Sequence, residues 1–158
     1  MPDHAPPIIA TEWLNTPEPL TLAELHGRVV VIECFQMLCP GCVSHGLPQA
    51  GRIAQTFRPE DVAVIGLHCV FEHHAAMTPV ALRAFVHEYR IGFPVAVDAP
   101  GAHGPLPQTM AAYALEGTPT LLLIDRQGRL RARHFGTIPD LALGAEIMML
   151  VREGDRAA

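Results

Sequence analysis

Cys39-Pro40-Gly41-Cys42 places two thiols three residues apart, a spacing that lends itself to redox chemistry. On the first turn of a helix this spacing brings the Cα atoms to roughly 5–6 Å, which a disulfide bridges. The pair directly follows an apolar, β-branched run, Arg28–Phe35, and a helix is expected from about Pro40 to Phe57. Cys39 thus stands where a strand gives way to a helix. Unpaired amides and the helix dipole favour a thiolate there, so Cys39 is the expected attacking sulfur. Cys42, one turn inside, is expected to be shielded and to resolve a mixed disulfide. The bland alternative is half of a zinc site. Zinc takes four ligands, commonly from a second pair of similar spacing, and no second CxxC exists. His45, three residues after Cys42, supplies at most a partial site.

Other residues stand out by breaking their local pattern. Glu33 interrupts an apolar strand, where an unpaired carboxylate costs several kcal/mol, of order ~3. The alternative is a partly solvated position with a local hydrogen bond. Cys34 and Cys69 read as buried residues packing as small hydrophobes, with a site near the cysteine pair as a lesser option for Cys69. His68, His73 and His74 surround Cys69 and read as a solvated strand–loop segment. Asp98–His103 reads as a lining loop.

The elements that would hold these groups follow from periodicity. Residues 1–19 are proline-rich and are expected to lie across the surface, anchored by Ile8–Ile9 and Trp13–Leu14. Thr21–Leu25 reads as a helical turn capped by Thr21. Arg28–Phe35 reads as a central parallel strand buried on both faces. Pro40 suits a first helical turn, and Pro48 is expected to kink the helix. Asp61–His68 reads as a second buried strand. Thr78 is expected to cap a helix over Pro79–Arg90, with Leu82, Phe85, Val86 and Tyr89 on its apolar stripe. Phe93–Val97 reads as a short strand, Asp98–Pro107 as a loop and Gln108–Leu115 as a short helix. Thr120–Asp125 and Arg129–Phe135 flank a turn and read as a hairpin. Pro139–Arg152 closes the chain as a helix, with residues 153–158 as a tail. The result is one α/β domain over residues 1–158 with a mixed central sheet flanked by helices.

With CPGC after a hydrophobic strand and Gly117-Thr118-Pro119-Thr120 before another, residues 20–152 resemble the thioredoxin superfamily. The segment Pro79–Val97 resembles the extra helix–strand insertion of its TlpA-like (redoxin) branch. The resemblance implies a thioredoxin-like fold and a thiol–disulfide oxidoreductase whose proline loop keeps metals off the cysteines, and since no dinucleotide or flavin motif appears, no cofactor is expected. It implies a cis Pro119 opposite the cysteines, with Thr118 offering its backbone to an extended substrate. The proline statistics alone favour a trans residue starting a strand. The resemblance also assigns Glu33 as a buried acid that exchanges a proton with Cys42. Pro40 and Gly41, between the cysteines, join the substrate-facing surface. Three departures are visible. Leu38 replaces the family's frequent Trp, the helix proline comes six residues after Cys42, and the dipeptide is Pro-Gly.

Composition bounds the partners. The chain has 158 residues, 49% apolar and 17% charged, with a net charge of −5. That fits one folded domain and argues against nucleic acid. The N-terminus lacks the basic and long apolar regions of a signal peptide, and no strand is long enough to span a bilayer, so a cytoplasmic setting is expected. There a close thiol pair reads as redox-active or metal-binding, and a redox pair is expected to work in the reducing direction. The expected partners are a disulfide-containing protein or small thiol and an external protein or thiol electron donor. The competing functions are a peroxiredoxin-like thiol peroxidase, a metal-binding or copper-delivery protein, and a redox-sensing interaction domain. The peroxidase reading is weakened by Gln36, where Thr or Ser is usual three residues before the peroxidatic cysteine.

Overall fold

The computed structural model describes residues 4–156. Its centre is strand β2 (Val29–Phe35), all seven residues of which are buried. This is what a continuous Val/Ile-rich run requires, because both faces of the strand must be covered. Burying each such side chain contributes roughly 1.5–3 kcal/mol. Strand β3 (Val62–His68) pairs with β2 in parallel, Val29 opposite Val62 and Phe35 opposite His68. With β1 (Ala10–Leu14), β4 (Val95–Asp98), β5 (Thr120–Ile124) and β6 (Leu130–Phe135), the sheet has the order β1-β4-β3-β2-β5-β6. β3–β4 is parallel, while β1–β4, β2–β5 and β5–β6 are antiparallel.

The two faces carry separate cores. On one, Val29, Val31 and Phe35 pack with residues of three helices. These are α1 (Leu47–Thr56), α2 (Pro79–Glu88) and α4 (Asp140–Arg156). On the other, Val30, Ile32 and Cys34 pack with Leu67, Cys69, Met110 and Tyr113, under the short helix α3 (Gln108–Ala112).

The mixed α/β sheet is the architecture expected, and the insertion holds α2 and β4. The Thr78 cap is present, its hydroxyl accepting from the Ala81 amide at 3.3 Å. Thr21 and Glu24 bond each other's backbone amides, a capping box on the turn before β2.

Several expectations are corrected. Within the N-terminal segment, Ala10–Leu14 is an edge strand on β4 rather than surface coil. Tyr89 lies beyond the end of α2 and is exposed, its ring tilted against that of Phe85 at 4.4 Å rather than in the core. The expected tail continues α4 to Arg156. His68 is not solvated but buried at the end of β3, while His73 and His74 are exposed. The irregularity expected at Pro48 takes the form of a π-helical turn over Cys42–Gly46. There the Leu47 amide bonds to the Cys42 carbonyl, five residues back. Pro48 follows at the start of α1, where it has no amide hydrogen to continue the ladder.

Candidate active site

The site sits at the C-terminal end of β2. The chain turns through Gln36–Cys39, with the Cys39 amide donating to the Gln36 carbonyl at 3.1 Å. It is helical again by Pro40 and Gly41. This turn leaves Cys39 partly exposed and draws Cys42 inside. The Cys42 amide donates to Cys39 Sγ at 3.3 Å. Cys39 Sγ in turn donates to the Thr118 carbonyl at 3.5 Å. The nucleophile candidate is therefore held between a donor that would stabilise a thiolate and an acceptor that would hold a thiol. Both cysteines are free thiols here. Burial, with Cys39 beside it, pushes the Cys42 thiol up, so Cys42 is held protonated at neutral pH.

Across from the cysteines the Thr118–Pro119 peptide is cis. Pro119 is buried and packs on the helix start, where a Cβ on Gly41 would lie 3.3 Å from its Cδ. Pro40 is exposed and Gly41 half-buried. Phe135, 57% exposed, covers Gly117 and adds an aromatic ring beside this loop. Leu38, 59% exposed, forms an apolar rim on the other side of Cys39 in sequence.

Beneath the helix start lies Glu33, 1% exposed, on the same face of β2 as Val31 and Phe35. Among the described residues its Oε1 has no hydrogen-bond partner. Burial, then the Cys39 sulfur, holds its carboxyl well above the usual range. A Cβ on Gly46 would lie 2.1 Å from Glu33 Oε1 and 3.2 Å from Pro119 Cβ. Gly46 is one turn beyond Cys42, so the missing side chain there makes room for the acid under the cysteine helix.

The structure thus brings together Cys39, Cys42, Thr118, Pro119, Pro40 and Gly41, with Glu33 below. Cys34 and Cys69 lie on the opposite face of the sheet, as plain packing residues. His45 points away, its ring nitrogen 3.3 Å from the Ile138 carbonyl. Among the described residues no three His, Cys, Asp or Glu side chains gather as a metal site. Pro100 and Gly101 of the expected lining loop do edge a cleft of about 420 Å³, with Val70, His74 and Thr78.

Sequence reasoning took His68 for part of a solvated segment, used Gln36 only against a peroxidase, and passed over Gly46. The signal for His68 was the same as for Glu33, a polar residue breaking an apolar strand. His68 Nε2 accepts from the Met37 amide at 3.3 Å. Gln36 Oε1 accepts from the Phe71 amide at 3.2 Å.

Comparison with known proteins agrees with this geometry. The AhpC/TSA family model matches residues 2–133. Protein DipZ of Mycobacterium tuberculosis is 30% identical over 128 residues, 80% of this chain but 17% of DipZ. This chain therefore spans less than a fifth of that relative's length. The thiol-disulfide oxidoreductase ResA of Bacillus cereus is 25% identical over 133 residues, 84% of this chain and 68% of ResA. The crystal structure of a thioredoxin-like superfamily protein is 59% identical with a TM-score of 0.92, covering 94% of this chain and 96% of its own. A thiol-disulfide isomerase from Corynebacterium glutamicum is 50% identical with a TM-score of 0.89, covering 94% and 97%. No described helix is long and apolar enough to cross a membrane. The chain belongs to the AhpC/TSA family, on the TlpA-like branch of the thioredoxin superfamily.

Proposed function

We propose that this oxidoreductase exchanges disulfides through Cys39 and Cys42, reducing a protein or small-molecule disulfide. The observation that carries the reading is the asymmetry of the two thiols. Cys39 is reachable and bonded by the Cys42 amide at 3.3 Å, while Cys42 is fully buried with its thiol pushed up. Cys39 Sγ attacks one sulfur of the substrate disulfide, and the other leaves as a thiolate that takes a proton. Cys42 then attacks Cys39 Sγ, releasing the second substrate thiol and leaving a Cys39–Cys42 disulfide. For that step Cys42 must lose its proton, and Glu33 beneath the helix is the proposed acceptor. Thr118, Pro119, Pro40 and Gly41 form the surface the substrate meets. An external dithiol protein or thiol returns the pair to its reduced state, and the cytosol is the proposed setting.

The family also supports a thiol peroxidase as an alternative. Gln36 disfavours it, because its amide is engaged with Phe71 and Glu72 rather than offering a hydroxyl near Cys39.

The test is a redox titration in glutathione buffers read by thiol trapping. The expected result is one reversible two-electron transition near or below roughly −220 mV, lost in Cys39→Ser and Cys42→Ser. In Cys42→Ser a mixed disulfide with substrate should accumulate at Cys39. Absence of a Cys39–Cys42 disulfide at every poise would sink the proposal.

A further inference from the structure

The loop that carries Cys39 is tied at its other end to a residue of the neighbouring strand. His68 ends β3 opposite Phe35, the last residue of β2. It is 1% exposed, and its ring lies 5.1 Å from that of Phe35. Its Nε2 accepts from the Met37 amide at 3.3 Å, a bond between two buried groups. Nε2 can accept only when it carries no proton, so the ring is neutral with its hydrogen on Nδ1. Burial favours that form, holding the ring's pKa at about 4. Gln36 fastens the preceding residue, its Oε1 taking the Phe71 amide at 3.2 Å and its Nε2 reaching Glu72 at 3.4 Å. The Cys69 amide completes the tie by donating to the Phe35 carbonyl at 3.0 Å. Between the end of β2 and Cys39 there are only Gln36, Met37 and Leu38, and Leu38 is exposed.

We infer that His68 is a positioning residue for Cys39: by holding the Met37 amide it fixes the turn Gln36–Cys39, and with it the seat of the sulfur between the Cys42 amide and the Thr118 carbonyl. The inference rests on Cys39 being the attacking thiol. His68 touches neither cysteine in this role and moves no proton. Its work is to give a buried amide the one acceptor that the strand ladder does not supply. Losing it leaves Met37 to seek another partner, and the sulfur moves with the turn.

The test compares His68→Leu, which keeps bulk but accepts nothing, with His68→Gln, whose Oε1 reaches about as far as Nε2, and His68→Asn, which does not. The readout is the rate at which iodoacetamide alkylates Cys39 in the reduced full chain at pH 7, mapped by mass spectrometry. His68→Leu should slow alkylation about tenfold, and His68→Gln should return it to within about twofold of wild type. A folded His68→Leu protein alkylated at the wild-type rate overturns the inference, whatever its Tm. If His68→Leu does not fold, His68→Gln must exceed His68→Asn, and equal rates overturn the inference. Wild-type protein alkylated first at a cysteine other than Cys39 overturns the functional reading beneath it instead.

Discussion

Glu33 and Gly46 are coupled by contact. A helical position such as Gly46 ordinarily gains about 1 kcal/mol when glycine becomes alanine. Here the added methyl would fall on Glu33 Oε1, a buried atom with little room to yield. Gly46→Ala should therefore cost about 1–3 kcal/mol in urea unfolding rather than stabilise. Combining it with Glu33→Ala should recover part of that loss, because the methyl then enters vacated space. Simple additivity of the two changes would remove the contact from the account. The same burial predicts a pH signature. Glu33 is raised above its ordinary 4.5, so the stability tied to its neutral form is fully present below about 4.5 and is lost as pH rises toward the raised value. Glu33→Gln stays neutral, so its advantage over wild type should grow with pH above 4.5 in urea midpoints. His68 works in the opposite sense. Its pKa falls from 6.5 to about 4, so stability is present above 6.5 and is lost as pH drops between those values. His68→Gln should flatten that acid-side slope, by roughly 3 kcal/mol across the window. Cys39, Cys42 and Glu33 were legible because spacing or a broken pattern marks them, and Pro119 only through the family resemblance. Gly46 was not, since an open glycine and one facing a buried acid look identical in sequence.

At the scale of elements, strands with continuous β-branched runs and helices with caps were legible nearly to their ends. β1 was not. Its residues, Ala10–Leu14, lie in a proline-rich stretch, and their pairing with β4 joins positions more than eighty residues apart. No local signal carries such a contact. The segment also bonds well beyond the ladder. The Ile9 amide donates to Thr109 Oγ1 at 2.9 Å, Tyr113 Oη donates to the Pro6 carbonyl at 2.7 Å, and Asn15 reaches the Ile91 carbonyl at 2.7 Å. It therefore works as a strap that covers β4 and steadies the insertion. A chain beginning at Asn15 should lose about 3 kcal/mol, or roughly 6–12 °C in Tm. It should also associate through the newly exposed edge of β4. A monomer with unchanged Tm would show that the strap is dispensable.

For the whole molecule, redox chemistry and folding stability are one thermodynamic cycle. The difference in unfolding free energy between oxidised and reduced protein equals the difference in reduction potential between the folded and unfolded cysteine pair, about 30 mV for 1.4 kcal/mol. The fold loads this balance from two directions. The reduced state holds Cys42 as a buried thiol, and burial opposes the thiolate through which it would react. It gains the Cys42 amide and Thr118 carbonyl bonds on Cys39. An enzyme that donates electrons must release them readily, so its disulfide form has to be the better-stabilised one. The reductase reading thus predicts that urea unfolds the oxidised protein at a higher midpoint than the reduced protein, with equal slopes so that the midpoints compare directly. A reduced form that outlasts the oxidised one would count against the reductase reading. The same two cysteines would then be a stronger oxidant than the unfolded pair, and the direction of exchange would follow from that potential set against the substrate's own.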